Sequence, residues 1–268
     1  MSRTIHADFA ERVAEHQRTG RGAVRFAYPI GVCTAPVVER EELTPRMVRL
    51  TLRGEELTGF HSYQADDHVK IVFPDADGTL RRPERNDGGT LDWPRPFPTT
   101  RDYTVRRHSG DTLVLDLVLH EGGIASEWAR AAEVGELVTV AGPPGGKAFP
   151  YTHDHYVLAV DATGLPAAAR WLEDAPPGST VHLVSEVDDP VEHDYPLPER
   201  AGLTVIRLVR DGVGSDLAET VFGLGLPEGT FLFAAGEAND IKPLRSWAKD
   251  LSSVTGYWKR GVAGLERE

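Results

Sequence analysis

Apolar and polar side chains alternate in short runs through the first half of the chain, and this pattern predicts β-strands. One short helix, residues 124–132, begins after Gly122 and Gly123 and ends before Gly135. The predicted strands are residues 32–40, 47–53, 68–73, 102–107, 112–119 and 137–141. Six strands and one helix in this order predict a small antiparallel β-barrel.

Residues 75–98 interrupt the strand pattern. They contain four prolines and the pair Gly88-Gly89. We expect a long surface excursion, and long loops inside compact domains are usually functional or mobile.

In the second half of the chain, strands alternate with helices. The predicted strands are residues 156–160, 181–187, 203–209 and 231–235, and the predicted helices are residues 165–172, 216–221 and 241–251. This rhythm predicts a parallel, doubly wound sheet. Ligands bind such sheets beyond the carboxyl ends of the strands. Here those ends carry residues 161–164, Glu186 and residues 236–238.

The chain is therefore predicted to combine a β-barrel with an α/β domain. Residues 1–27 are expected to be an N-terminal arm or helix, because residues 4–16 include apolar positions at helical spacing. Residues 28–150 are assigned to the barrel. Residues 151–268 are assigned to the doubly wound domain, which ends in a basic and aromatic tail.

The composition narrows the class of protein. The 268 residues are 40% hydrophobic and 26% charged, which is ordinary for a folded protein. The net charge of −12 argues against nucleic-acid binding, which depends on clustered lysine and arginine. Cys33 is the only cysteine, so this chain alone builds neither a disulfide nor a cysteine-based zinc or iron–sulfur site. Any redox chemistry must then use an organic cofactor or a partner.

The expected cellular location is inferred from the lack of a recognisable signal peptide or membrane-spanning segment in the sequence. Residues 1–28 carry scattered charge and no apolar run of the kind found in signal peptides. No stretch of the sequence is apolar over the length needed to span a membrane. We therefore expect no membrane insertion and a cytoplasmic location.

The most informative segment is residues 101–106. In a strand, alternate side chains share a face, so Arg101 and Tyr103 are expected to point one way, and Thr104 and Arg106 the other. A tyrosine ring can stack on a flat ring, while hydroxyl and guanidinium groups reach ring carbonyls and phosphate. This combination suits a flavin nucleotide. An exposed strand with surface charges would carry the same residues, so the segment alone leaves both interpretations open.

Two further segments suggest phosphate binding and a bend. The segment that starts at His120 follows a predicted strand and contains the start of the predicted short helix. Ala125 and Ser126 lie in the first turn of that helix. Backbone N–H groups at a helix start bind anions, glycine lets a phosphate come close, and the Ser126 hydroxyl adds a donor. The segment at Gly142, Gly-Pro-Pro-Gly-Gly, is expected to be a rigid bend between the two halves, or only a linker.

Together and in this order, the three segments resemble those of the ferredoxin reductase-like flavoproteins. The matching patterns are Arg-x-Tyr-Thr-x-Arg at 101–106, Gly-x-Ala-Ser at 123–126 and Gly-Pro-x-Gly at 142–145. More of the chain is similar to the siderophore-interacting protein family, the flavin-dependent ferric-siderophore reductases. These motifs are His-Val-Lys at 68–70, Thr-Gly-Leu-Pro-Ala at 163–167, Gly-Glu-Ala at 236–238 and Gly-Tyr-Trp-Lys-Arg-Gly at 256–261. The resemblance covers residues 28–262, and the last motif is its most specific part.

The resemblance implies an oxidoreductase with a β-barrel that binds FAD and an α/β domain that binds NAD(P)H. It implies that FAD takes a hydride from NAD(P)H and passes electrons singly to a ferric siderophore, which then releases Fe(II). Such an enzyme needs no covalent nucleophile and no metal ligand from the protein. A ferredoxin is a further partner that the resemblance suggests.

The site residues are assigned on the same resemblance. FAD contacts are assigned to Arg101, Tyr103, Thr104, Arg106, His120, Ala125, Ser126 and Gly142, and NAD(P)H contacts to Thr163, Gly236, Glu237 and Ala238. Because the protein is acidic, an anionic ferric chelate needs a local basic patch. Lys70 and one of Lys259 or Arg260 are expected to face it. The alternative is a solvated basic C-terminus beside an aromatic core pair.

The chain departs from the family pattern at three places, of which Gly164, where the family commonly has alanine, is a small change. Glu186 and Asp188 follow a strand where lysine or arginine would favour NADPH, and acid at that place favours NADH. Since the resemblance implies NADPH for many members, the donor is left as NAD(P)H, with NADPH preferred. Asp66 and Asp67 precede His68 where the family pattern has Pro-Gly or similar, which places unexpected acid near the flavin.

Two other functions remain open. A general NAD(P)H flavin reductase or ferredoxin-type reductase would share the barrel without requiring the basic tail. A non-catalytic siderophore-binding protein would bind the chelate without turnover and would carry no flavin.

Overall fold

The computed structural model describes residues 3–212, 214–247 and 249–264. The chain divides into two compact units. We call Met1–Ala10 with Arg25–Gly146 the barrel unit, and Glu11–Val24 with Lys147–Glu268 the sheet unit. Two residues of the expected N-terminal arm and the last four residues of the expected α/β domain lie outside the described ranges.

The barrel unit contains a closed, six-stranded antiparallel barrel, which confirms the predicted fold class. The elements of this part of the chain are α1 Arg3–Thr19, β1 Val24–Ala27, β2 Gly31–Thr44, β3 Met47–Arg53, β4 His68–Val72, β5 Glu84–Arg85, β6 Leu91–Asp92, β7 Thr100–Ser109, β8 Thr112–Val118, α2 Ile124–Ala131, β9 Leu137–Gly142 and β10 Gly145–Ala148. The barrel closes in the order β2-β3-β8-β7-β4-β9, while β1 pairs with β10 and β5 with β6.

Alternate side chains along the strands fill the barrel. Leu113, Leu115 and Leu117 of β8 are buried in one core with Val69 and Ile71 of β4. Each such side chain contributes about 1.5–3 kcal/mol by leaving water. The side chains that alternate with them, such as that of Lys70, are thereby held on the outer face of the barrel.

The excursion at residues 75–98 packs onto the barrel. It carries the hairpin β5–β6, and Ile30 N–H donates to the Gly89 carbonyl over 2.9 Å. Arg82 donates to the Val32 carbonyl over 3.2 Å. The excursion therefore covers the beginning of β2.

The sheet unit contains a parallel sheet, as predicted, with five strands where the sequence pattern predicted four. Its elements are β11 His155–Asp161, α3 Leu165–Asp174, β12 Thr180–Val187, β13 Leu203–Val209, α4 Leu217–Gly223, β14 Phe231–Glu237 and β15 Ser252–Trp258. The strand order is β13-β12-β11-β14-β15, and every neighbouring pair is parallel. The carboxyl ends of all five strands therefore lie at one edge. Among the described residues, no helix has the length and apolar character that crossing a membrane requires.

The expected helix at 241–251 is wrong. Two 3₁₀ helices, Lys242–Ser246 and Lys249–Leu251, replace it, with tight hydrogen bonds such as Trp247 N–H to the Leu244 carbonyl at 3.0 Å. Residue 248, which the prediction included, lies outside the described residues. The segment instead connects β14 to β15, a strand that the sequence pattern did not predict. Ser253 and Thr255 point inward from β15 and are buried, so the strand lacks apolar alternation.

Candidate functional site

Strand β7 places the predicted flavin segment on the barrel wall. Tyr103 packs against the barrel core with Val105, and burial raises the pKa of the Tyr103 phenol. Thr104 is 3% exposed, and its hydroxyl has no hydrogen-bond partner among the described residues. Such a buried group costs free energy unless something pairs with it. Thr104 is thus a buried hydroxyl without a protein partner among the described residues, which makes it a candidate for a ligand contact.

The arginines of β7 have protein partners. Arg106 is 4% exposed and lies 3.9 Å from the carboxylate of Asp116. Arg49 also binds Asp116, with two hydrogen bonds of 2.7 and 2.8 Å. Arg101 donates to the Thr100 carbonyl over 2.7 Å. The structure therefore gathers positive charge around one buried carboxylate next to Thr104 on this wall.

Lys70 of β4 lies opposite Asp102 of β7, and its ammonium is 3.0 Å from that carboxylate. The Lys70 side chain is 29% exposed. The Asp102 carboxylate therefore balances the charge of Lys70, which limits how strongly Lys70 attracts a dissolved anion.

Of the acidic pair before β4, Asp67 holds the local chain. The Asp67 carboxylate accepts from the Ser62 hydroxyl at 3.0 Å, from Tyr63 N–H at 2.6 Å and from Gln64 N–H at 3.2 Å. Asp67 is completely buried. The carboxylate therefore holds the turn that leads into β4, which accounts for acid at this position.

Helix α2 begins at Ile124, and its N-cap residue, Gly123, has no side chain to cap the first N–H groups. The Ser126 hydroxyl is fully buried, accepts from His120 N–H at 3.1 Å and donates to the Val118 carbonyl at 3.4 Å. It therefore holds the loop between β8 and α2 and does not extend from the helix start. The exposed His120 ring lies over Gly123, where an added Cβ would come within 2.3 Å of it. Ala125 is buried.

Gly142 ends β9 in a left-handed conformation, with φ of +133°. An added Cβ would lie 3.0 Å from the His68 carbonyl oxygen. Glycine is required here because β4 and β9 approach closely at this end of the barrel.

At the carboxyl edge of the sheet, Asp161 connects three strands. It accepts from the Thr163 N–H and hydroxyl at 2.8 and 2.6 Å, from Glu237 N–H at 2.8 Å and from the Trp258 indole at 2.7 Å. Burial raises the pKa of Asp161, and these hydrogen bonds oppose the rise. Gly236 has room for no side chain, because its Cβ would lie 2.7 Å from the Asp161 carboxyl carbon. The predicted residues Thr163, Gly236 and Glu237 are thus brought together.

Glu237 and Arg260 also meet at this edge. Buried Glu237 accepts from the N–H groups of Asn239, Asp240 and Arg260 at 2.6, 2.9 and 3.0 Å. The Arg260 guanidinium donates two hydrogen bonds to the Asp240 carboxylate, of 2.9 and 2.6 Å. This contact raises the pKa of Arg260. Ala238 N–H donates to the Trp258 carbonyl over 2.8 Å.

The remaining tail lysine is different. Lys259 is exposed, and its backbone pairs with Val262. Of the two tail cations, Arg260 is thus committed to a carboxylate of the protein, while the Lys259 side chain extends toward solvent.

Sequence reasoning missed Arg210. It follows β13 and binds three carboxylates, Glu186 at 2.9 Å, Asp188 at 2.7 Å and Asp240 at 2.9 Å. Nothing in the local sequence marks it, because the partners come from other strand ends. Only the strand order β13-β12-β11-β14 brings them together.

A cavity of about 520 Å³ in the barrel unit lies elsewhere, beside Cys33, Glu56 and Arg82. Arg82 and Glu56 pair at 2.6 Å, and burial raises the pKa of the Cys33 thiol to about 11. None of the predicted site residues lines this cavity.

Comparison with known proteins covers both units. Residues 36–147 match the model of the siderophore-interacting FAD-binding domain, and residues 153–261 match that of the siderophore-interacting protein. A ferric vibriobactin reductase of Vibrio cholerae is 33% identical over 241 residues, which cover 84% of this chain and 88% of that protein. An NADPH-dependent ferric-chelate reductase of Escherichia coli is 38% identical over 142 residues, 51% of this chain and 54% of that protein.

A solved structure of a siderophore-related protein is also similar to this chain. The siderophore utilization protein from T. fusca is 35% identical, with a TM-score of 0.84, and the match covers 91% of this chain and 98% of that one. These matches confirm the resemblance found in the sequence, and the chain belongs to the siderophore-interacting protein family.

Proposed function

We propose that this protein is a ferric-siderophore reductase that uses NAD(P)H and FAD. The proposal is supported by the reductase names of its relatives and by the match of residues 36–147 to an FAD-binding domain. When bound, FAD accepts a hydride from a nicotinamide and gives up single electrons to Fe(III). Fe(II) is held more weakly by hard oxygen ligands, so the chelate releases it.

The observation that carries the FAD assignment is the buried Thr104 hydroxyl. A flavin ring carbonyl or nitrogen would supply the hydrogen bond that this group lacks among the described residues. In this proposal Tyr103 offers its ring to the flavin, and Arg101 and Arg106 supply positive charge on the phosphate side. Gly142 contributes by letting β4 and β9 pack closely at this end of the barrel.

We assign the diphosphate of FAD to the beginning of α2. The donors are backbone N–H groups of the first turn, including those of Ala125 and Ser126, and the helix dipole favours the negative charge. The Ser126 hydroxyl contributes indirectly, since it holds the loop. His120 lies beside the same helix start and completes the proposed group of contacts.

In the sheet unit we assign NAD(P)H to the carboxyl edge, as expected for a doubly wound sheet. Thr163, Gly236 and Ala238 offer backbone and small side chains there, while Asp161 and Glu237 fix the backbone that presents them. Residues 28–150 are accordingly proposed as the FAD-binding domain and residues 151–268 as the NAD(P)H-binding domain.

For the ferric siderophore we propose Lys259 in the sheet unit and Lys70 in the barrel unit as separate contacts. Lys259 is exposed, whereas Lys70 shares its charge with Asp102. Arg260 acts in this proposal by holding Asp240 and the tail backbone. A cytoplasmic location and a ferredoxin as a partner are further proposals.

The test is a spectrum followed by an assay. Purified protein should show flavin absorbance, and NAD(P)H oxidation should rise when a ferric siderophore is added, with Fe(II) captured by a colorimetric chelator. Protein without flavin that still binds the chelate would indicate a carrier. Flavin-containing protein that reduces added free flavin but not the chelate would indicate a general flavin reductase. Either result would overturn the proposal.

A further inference from the structure

The cations assigned to the ferric siderophore differ in how much positive charge they leave for a ligand. In the barrel unit, the Lys70 ammonium lies 3.0 Å from the Asp102 carboxylate, and the two side chains are 29% and 8% exposed. Water and salt screen a partly buried ion pair much less than an exposed one. Lys70 and Asp102 together therefore present almost no net charge to a dissolved ion.

Arg260, in the tail of the sheet unit, is neutralised by more than one carboxylate. Its two terminal nitrogens donate to Asp240, and the fully buried Glu237 carboxylate lies a further 3.6 Å away. Asp240 also binds Arg210, which contacts two more carboxylates beyond β12 and at its end. Four carboxylates thus face two guanidinium groups, so this cluster is negative as a whole.

Lys259 is the assigned cation whose charge remains available. Its side chain is exposed, and a single contact of this kind in water attracts an anion only weakly. Lys242 and Arg245 are also exposed beyond β14, but Asp211 and Asp216, exposed beyond β13, match them in number. The sheet unit therefore offers an anion one wet lysine and no excess of positive charge around it.

The charge of the whole protein acts in the same direction. The net charge is −12, and the diphosphate of a bound FAD would add negative charge to the barrel unit. Surface charges act over a screening length of about 8 Å at physiological ionic strength, and they change the rate at which a charged ligand arrives. A chelate with several negative charges would thus be repelled before it reached the exposed lysine.

Ferric siderophores differ in net charge because their oxygen donors differ. Three singly charged hydroxamates around Fe(III) give a neutral complex, whereas three doubly charged catecholates give a complex with three negative charges. Both kinds of donor are hard oxygen ligands that suit Fe(III). Net charge is therefore the property by which an acidic protein can distinguish the two classes.

We propose that carboxylates of this protein neutralise Lys70 and Arg260, and that its iron substrate is accordingly a chelate of zero or positive net charge, the class to which trihydroxamates belong. The inference rests on the proposed function, because it names the substrate class of a reductase. It replaces the anionic chelate and the basic patch that the sequence led us to expect. Lys70 and Lys259 then act chiefly as hydrogen-bond donors to chelate oxygens.

The first test varies the charge of one chelate and leaves its iron site unchanged. Ferrioxamine B, a linear trihydroxamate complex, carries a terminal ammonium that makes it positive. Acetylation of that amine makes the complex neutral, and succinylation makes it negative. The reduced flavoprotein is mixed anaerobically with each complex, and the second-order rate constant of flavin reoxidation is measured. We expect this constant to fall about threefold at each step from positive to negative at low salt, and the three values to converge at high salt.

A binding measurement compares the two classes of chelate without electron transfer. Ga(III) has the charge of Fe(III) and is not reduced, so differences in reduction potential do not enter. Calorimetric titration of the oxidised flavoprotein should show at least tenfold tighter binding of the neutral Ga(III) trihydroxamate than of Ga(III) tris-catecholate. Tighter binding of the tris-catecholate would overturn the inference.

Asp102→Asn tests the neutralisation of Lys70 directly. The variant removes the partner carboxylate, so the rate constant of the negative complex should rise at least threefold, while that of the neutral complex and the flavin content stay the same. Glu42→Gln is the matched control, because Glu42 is exposed on β2 and its loss removes the same charge. This control should keep all wild-type rate constants.

Two further outcomes separate this inference from the proposed function. A negative complex that reacts fastest at low salt, or that gains nothing from Asp102→Asn, would overturn the inference and leave the reductase proposal intact. Failure of the reduced flavoprotein to transfer electrons to any of the three complexes, or to a ferric tris-catecholate, would overturn both.

Discussion

Thr104 in the barrel unit and Asp161 in the sheet unit are both buried polar residues at predicted ligand sites, yet their surroundings differ. The Thr104 hydroxyl has no partner among the described residues, whereas Asp161 accepts four hydrogen bonds from Thr163, Glu237 and Trp258. A group that protein atoms already satisfy shapes the backbone, whereas an unsatisfied group at a predicted ligand site is a candidate for a ligand contact. Residues of a motif can therefore act in either way, and the hydrogen-bond partners distinguish them.

The largest effect should come from Asp161→Ala. This change leaves the Glu237 N–H and the Trp258 indole without an acceptor, and each buried unsatisfied donor costs about 1–3 kcal/mol. We expect the free energy of unfolding to fall by about 3 kcal/mol, measured by urea denaturation. Asp154→Ala, an exposed site before β11, serves as the control. A loss below about 1 kcal/mol in Asp161→Ala would remove the contrast with Thr104.

Thr104→Val should leave the apoprotein as stable as before but weaken FAD binding. Valine keeps the shape and removes the unsatisfied hydroxyl, so the apoprotein should unfold at the same or a higher temperature. The affinity for FAD should fall about tenfold, which corresponds to about 1.4 kcal/mol, measured by fluorescence titration. Thr51→Val, a buried threonine of β3, should leave FAD affinity unchanged. Unchanged FAD affinity in Thr104→Val would show that the hydroxyl does not contact the cofactor.

The two lysines provide a smaller comparison. Lys259→Ala should raise KM for the ferric siderophore about three- to fivefold, with flavin content and flavin reduction by NAD(P)H unchanged. Lys70→Ala should change KM less, because Asp102 already balances that ammonium. Steady-state kinetics on both variants checks the order. A larger KM effect from Lys70 would place the substrate contact on the barrel unit alone.

The stability of the barrel unit should also depend on pH. His6 and His61 stack with ring centroids 3.6 Å apart, and burial, together with the charges of His6 and His108, lowers the pKa of His61 to about 4. Since the unfolded state takes up the proton at about pH 6.5, stability should be full above that pH and decline toward pH 4. His61→Phe should flatten the dependence of Tm on pH over this range. An unaltered slope would mean that the stacked pair does not titrate as stated.

Most barrel strands could be predicted from sequence because their apolar residues alternate and turns separate them. The bounds of β3 in the barrel, and also those of β13 in the parallel sheet, match the predicted bounds. Strand β15 was not predicted because two of its three buried positions are the polar residues Ser253 and Thr255.

The candidate site could be predicted only in part. Local sequence identified the β7 segment, the beginning of α2 and the strand ends, since each is contiguous. It could not show that the Ser126 hydroxyl points inward, or that Arg260 is held by Asp240. It also missed Arg210, whose partners Glu186 and Asp240 are 24 and 30 residues away. Such roles depend on which strands are neighbours, and that is a property of the fold.

The most direct test of the account is an anaerobic electron count. The flavoprotein is reduced with one equivalent of NADH, freed of excess nucleotide and mixed with a ferric siderophore and an Fe(II) chelator. The account predicts about two Fe(II) per FAD, with the flavin absorbance restored at the same rate, because reduced flavin carries two electrons. Flavin that stays reduced while the chelate keeps its iron would contradict it.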